Sequence, residues 1–153
     1  MGVSRAFIKE SGDSVEDLPE RPLSTAPNLV TAEGLAAIEA EIARLKDALV
    51  RAGEDRAQRA QVSRDLRYWI ARRGSAHVVE PPADCGSVRF GTTVTVDRDD
   101  GRTQTFRIVG EDEADPERGT LSHVSPLARA LMGKAVGDSV QVAGHGVEVV
   151  EIA

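Results

Sequence analysis

The sequence predicts an α+β protein: an N-terminal antiparallel coiled-coil helical hairpin, then an antiparallel β domain with one short helix. Three observations carry this. Leu35, Ile38, Ile42, Leu45 and Leu49 recur at alternating spacings of three and four, the period of a helix with a narrow apolar seam. Beyond residue 80 the apolar residues alternate singly, with Asp100-Gly101 between two such runs, a strong short-range hairpin signal. Ser125-Pro126 then opens a short segment with Leu127, Leu131 and Met132 at helical spacing, Ser suiting an N-cap and Pro the first helical turn.

A chain of 153 residues can bury one modest core or two small ones. Aromatic residues make up only 3%, so Val, Ile, Leu and Ala must fill it. The single cysteine, Cys85, excludes an internal disulfide and fits a cytoplasmic protein. The N-terminus has no signal-peptide core and no apolar run nears membrane-spanning length, so no membrane partner is expected. Net charge is −6, with seven basic and twelve acidic residues after residue 80. That is not the footprint of a protein gripping phosphates. It points to a protein partner, with a monomer expected.

Residues 1–29 read as a flexible N-terminal tail, with Pro19, Pro22 and Pro27 as punctuation. Residues 30–80 read as the hairpin. Thr31 is the N-cap of a helix over 31–51, and its seam needs one partner helix. Gly53 suits a helix end and Asp55 the cap of a second helix over 56–75. There Val62, Leu66, Trp69 and Arg73 form one stripe. Arg56, Arg59, Arg64, Arg67, Arg72 and Arg73 stand against Asp65 alone, either a solvated face or a docking face for an acidic partner. Residues 81–153 read as the β domain. Val88–Phe90, Thr92–Val96, Thr103–Val109 and Gly119–Val124 are expected strands, and 139–142 and 147–152 a final hairpin around Gly144-His145-Gly146.

The C-terminal half resembles the bacterial GreA/GreB transcript-cleavage factors. The residues that carry the likeness are Gly101–Glu113, then Ser122-His123-Val124-Ser125-Pro126-Leu127-Ala128-Arg129-Ala130-Leu131, Lys134 and Val136-Gly137-Asp138. Val30–Leu35 and Arg67-Tyr68-Trp69 extend it over about residues 29–152. The resemblance implies an FKBP-like C-terminal domain docked on the rim of the secondary channel of bacterial RNA polymerase. It implies a hairpin that enters the channel with acidic residues at its tip. DNA and RNA would be met only through the polymerase. The factor would be no enzyme, at most stimulating the polymerase's own cleavage of backtracked RNA. It would have no cofactor of its own, Mg²⁺ belonging to the polymerase active site. By the same likeness Ser125, Pro126, Leu127, Arg129 and Ala130 are the polymerase-binding candidates.

The tip departs from the family pattern. A Gly-Asp followed by a Glu-Asn-Ala-acid-Tyr run is typical there. Here only Gly53-Glu54-Asp55 stands, followed by Arg56-Ala57-Gln58. Each arm also reads about three helical turns short of the family's. Glu54 and Asp55 therefore have two readings, a helix cap at a turn and a metal-assisting pair. The short arms resemble the regulator-of-nucleoside-diphosphate-kinase group, which implies the alternative function: a non-cleaving channel regulator that competes with longer-armed factors. Three scattered histidines, His77, His123 and His145, form no metal motif. Phe90 and Phe106 alone are too few for the aromatic pocket of an FKBP-type prolyl isomerase.

Overall fold

The computed structural model describes residues 18–153. The element order is β1 (Leu29–Val30), α1 (Ala32–Arg51), α2 (Arg56–Ser75), β2 (His77–Val78), β3 (Thr93–Arg98), β4 (Thr103–Val109), β5 (Thr120–Ser122), α3 (Pro126–Leu131), β6 (Ser139–Val142) and β7 (His145–Ile152). Two compact units result. One holds 18–25 with 36–75, the other 26–35 with 76–153. The first part of the expected tail, residues 1–17, lies outside the described residues.

In the first unit, α1 buries Ile38, Ile42 and Leu45, the seam its spacing predicts. Its helix gains two ion pairs on the solvent side, Arg44 with Glu41 and Arg51 with Asp47. α2 meets it less fully. Val62, Leu66 and Trp69 are half-buried, and the next place on their stripe belongs to buried Arg72 rather than Arg73. Arg73 stays outside and pairs with Glu39 at 3.4 Å. Ile70 is half-exposed. Each helix has 20 residues, giving arms about 30 Å long at 1.5 Å per residue.

The second unit is built on a five-stranded sheet of order β5-β4-β3-β7-β6. Single alternation sends Val94 and Val96 of β3, Phe106 and Ile108 of β4, Leu121 of β5, and Val147 and Val149 of β7 to one face. α3 closes that face with Leu127, Ala128 and Leu131. The β3–β7 register shifts between Thr95 and Val96, a bulge that helps curl the sheet.

Three expectations are corrected here. The sheet is mixed, not antiparallel: β5 pairs parallel to β4. The ten residues 110–119, with a 3₁₀ turn at Pro116–Arg118 capped by Asp115, carry the chain back to the start of a parallel strand. Val88–Phe90 is no strand, because its polar backbone goes elsewhere. Val88 donates to Lys134 and accepts from Gly133, both at 2.8 Å, while the Thr92 hydroxyl accepts from Arg89 N–H and donates to Arg89 C=O. The last hairpin turns at Ala143-Gly144, with φ of 51° and 80°, so His145 and Gly146 belong to β7. Two left-handed residues in a row give the tight turn that matches strand twist.

A two-residue parallel pair, β1 with β2, ties the two crossings of the chain at the second unit. Beside it, the Glu113 carboxylate accepts from Thr31 N–H at 3.0 Å, the Thr31 hydroxyl at 2.5 Å and Gly110 N–H at 3.2 Å. The same hydroxyl accepts from Gly34 N–H at 2.9 Å, confirming Thr31 as the N-cap of α1. No helix among the described residues is long and apolar enough to cross a membrane.

Candidate functional site

The first candidate region is α3 and its entry. Ser125 has extended backbone, and its hydroxyl accepts from Ala128 N–H at 3.2 Å. Pro126 fills the first helical position, where a missing N–H has no cost. Behind the cap, Ser125 N–H donates to Ser122 C=O at 3.0 Å, and Met132 N–H to Ala128 C=O at 3.0 Å. The helix is thus held at both ends by backbone bonds. Its inner face, Leu127, Ala128 and Leu131, is in the core. Its outer face offers Pro126 and Arg129, with Ser125 and Ala130 half-exposed. Of the five candidates, Leu127 is therefore a core residue that seats the others. Met132, expected on the buried face, is exposed instead, because the helix ends at Leu131 and the chain turns through Gly133 at φ 80°. Met132 and Val136 are the exposed large apolar residues of this turn; helical spacing puts Met132, though not Val136, with Leu127 and Leu131.

The second region is the hairpin tip. Gly53 takes the left-handed conformation, φ 56°, and the Asp55 carboxylate accepts from Gln58 N–H at 3.1 Å as the cap of α2. Glu54 is exposed. The Arg59 guanidinium lies over the turn and donates to Gly53 C=O at 3.0 Å and Leu49 C=O at 3.4 Å. An Mg²⁺ ion needs near-octahedral oxygen donors and excess negative charge. One Asp55 oxygen is taken by the cap, and the Arg59 guanidinium is bonded to backbone carbonyls of the turn. Two carboxylates, one of them engaged, fall short of that donor set on their own. Among the described residues no cluster of three or more His, Cys, Asp or Glu could hold one.

The third region was not visible from the sequence. Residues 20 and 21 lie against α2. Glu20 accepts from the Arg67 guanidinium through both oxygens, at 2.9 and 3.0 Å. Arg21 stacks over the Tyr68 ring at 3.8 Å and pairs with Asp65 at 3.4 Å. Hydrogen bonding with Arg67 holds the Glu20 carboxyl below the usual range and raises Arg67.

Residues 83–153 match the model of the family described as transcription elongation factor, GreA/GreB, C-terminal. Over the longer stretch, the chain is 36% identical to the transcription elongation factor GreA of Ruegeria pomeroyi, covering 76% of this chain and 88% of that one. The chain belongs to the GreA/GreB family. The corresponding factor of Cereibacter sphaeroides is also 36% identical, over 78% of this chain and 90% of the relative. Among solved structures, a GreA/GreB factor from Nitrosomonas europaea covers 82% of this chain and 98% of its own, at 21% identity and a TM-score of 0.41. The Gfh1 protein of Thermus thermophilus covers 84% and 99%, at 20% identity and a TM-score of 0.39. One feature of the Ruegeria alignment concerns length. Its 138 aligned positions draw on 76% of 153 residues, about 116, so this GreA/GreB member is about 22 residues shorter within the aligned stretch.

Proposed function

We propose that the protein binds RNA polymerase at the secondary channel through the face of Ser125, Pro126, Arg129 and Ala130, seated by Leu127. We further propose that it regulates elongation there without delivering a metal ligand. The observation that carries the second part is the tip: Asp55 is spent as a helix cap and Arg59 is bonded across the turn to Gly53. A tip with one of its two carboxylates engaged as a cap offers few free oxygens to draw a second magnesium ion toward the polymerase's own.

Arm length supports the same reading. The shortfall of about 22 residues against a GreA relative is what removal of about three turns from each of two helices requires, at 3.6 residues per turn. Arms of about 30 Å would then stop short of the centre that a longer-armed factor reaches. The first part rests on family membership and on the exposed outer face of α3, whose backbone is fixed by its cap and core contacts. The protein works as a soluble cytoplasmic partner of the polymerase, and it meets nucleic acid only in that complex.

The test is equilibrium binding to purified core polymerase by fluorescence anisotropy. The natural chain should bind, and an authentic GreA factor should compete. Pro126→Asp places a charge on the docking face while keeping an N1 residue that helices tolerate, and should weaken binding at least tenfold. Unchanged affinity for Pro126→Asp would remove α3 from the interface.

A further inference from the structure

The five-stranded sheet ends at β6, and the backbone of that edge is open. Gly146 of β7 stands opposite Gln141, yet it spends both backbone groups on its other side. Its N–H donates to the Asp99 carboxylate at 3.0 Å, and its C=O accepts from Asp99 N–H at 3.1 Å. Where the chain enters β6, Val149 N–H donates to Asp138 C=O at 2.9 Å. Hydrogen bonding alternates residue by residue along an antiparallel pair. Val140 and Val142 therefore bond to β7, and the N–H and C=O of Ser139 and Gln141 point away from the sheet. Both residues are exposed, and no backbone group among the described residues reaches them. The devices that close an edge are missing, since Ser139-Val140-Gln141-Val142 holds no charge, no proline and no register shift.

We infer that β6 pairs with β6 of a second copy of this chain, antiparallel about a two-fold axis through Val140, joining the two sheets edge to edge. The axis sets Ser139 opposite the copy's Gln141. Each such pair exchanges two backbone hydrogen bonds, and Val140 faces its counterpart at the closer, unbonded spacing. A copy suits this edge because the edge is complementary to itself. Its outward donors and acceptors stand symmetrically on either side of Val140. On one face the Ser139 hydroxyl meets the copy's Gln141 amide, and on the other Val140 meets Val140. No like charges collide, because Asp138 falls opposite the copy's Val142. Four residues a side put the contact below about 1,200 Å², the weak end of specific interfaces, so a Kd of about 1 mM is expected. At micromolar concentration the chain is then a monomer. This inference stands independently of the polymerase reading.

The test is NMR of the full chain from about 0.05 to about 1 mM, with reductant so that Cys85 stays free. At about 1 mM roughly half of the chains pair, so exchange of the Ser139 and Gln141 amides should slow about twofold over that range. Val140 and Val142, already bonded to β7, should not change. In a mixture of isotope-labelled and unlabelled chains, Val140 Hα should show a nuclear Overhauser contact to Val140 Hα of the copy. Gln141→Pro removes an outward N–H, which edge strands tolerate, and should make Ser139 exchange independent of concentration at an unchanged unfolding midpoint. Ser139→Lys with Gln141→Lys sets like charges opposite each other and should do the same. Exchange at Ser139 and Gln141 that does not vary with concentration in the natural chain would overturn the inference and leave the edge to an extended segment of another protein. Association that survives the double lysine variant would overturn it equally, since another surface would then carry it.

Discussion

Replacing Gly34 by Ala should destabilise this protein, against the usual preference of helices. Gly34 lies in the first turn of α1, and Gly→Ala inside a helix stabilises by up to about 1 kcal/mol. Here a Cβ would stand 2.2 Å from Glu113 Oε2 and 2.5 Å from its Cδ. The carboxylate sits at the far end of a flexible side chain and can retreat, but only by leaving Thr31 N–H, the Thr31 hydroxyl and Gly110 N–H. Hydrogen bonds to charged groups contribute about 1.5–3 kcal/mol each. Losing two of the three outweighs the propensity gain and leaves a net loss of about 2–5 kcal/mol. Urea unfolding should show a lower midpoint at constant slope. The cause is isolated by a double-mutant cycle. In a Glu113→Ala background nothing of that side chain remains to collide, so Gly34→Ala should there be neutral or stabilising. Gly34→Ala that stabilises the natural chain would refute the reasoning, as would an equal loss in both backgrounds.

Ala143 is the one non-glycine residue of positive φ among those described, and Ala143→Gly should raise thermal stability by up to about 1 kcal/mol by removing a left-handed strain. Asp55→Ala should cost about 1 kcal/mol through the lost cap, whereas Glu54→Ala should stay within about 0.5 kcal/mol; denaturant midpoints of the two variants separate them. Hydrogen bonding with Arg44 lowers the Glu41 carboxyl, bonding with Arg67 lowers Glu20, and the Arg102 N–H lowers Asp100. A lowered folded-state value means that the unfolded chain binds more protons over that window. Stability should therefore be complete above the ordinary values of 4.5 and 3.8 and fall as pH drops through and below them. A flat unfolding midpoint from about pH 6 to pH 3 would contradict that sign.

The local elements were legible in the sequence because local rules govern them. The three-and-four spacing from Leu35 to Leu49, the break at Gly53 and the Asp55 cap defined both helices to within a residue. Ser125-Pro126 fixed the start of α3, and Asp100-Gly101 the first hairpin turn. What escaped depends on distant partners. β1 and β2 have two residues each and show no period. The parallel placing of β5 is set by a crossover whose direction no pattern encodes. Thr31 and Glu113 are 82 positions apart, so the carboxylate that demands Gly34 cannot be read from the helix that contains it. The same holds for Glu20 and Arg67, 47 apart. Val88–Phe90 alternates like a strand, yet its backbone is claimed by the turn after α3. At the candidate site, the Ser125 cap and the start of α3 were readable. The seating role of Leu127 and the Arg59 bond over the tip were not, since both need the folded neighbours.

The central claim is docking on the polymerase without metal delivery, and transcript cleavage measures it most directly. Stalled, backtracked elongation complexes with labelled RNA would be incubated with the purified protein and Mg²⁺, alone and together with an authentic GreA factor. The account predicts no short 3′ fragments from the protein alone. It predicts dose-dependent loss of the fragments made by the GreA factor, relieved by Pro126→Asp. Fragments made by the protein itself, and abolished by Glu54→Ala with Asp55→Ala, would contradict it.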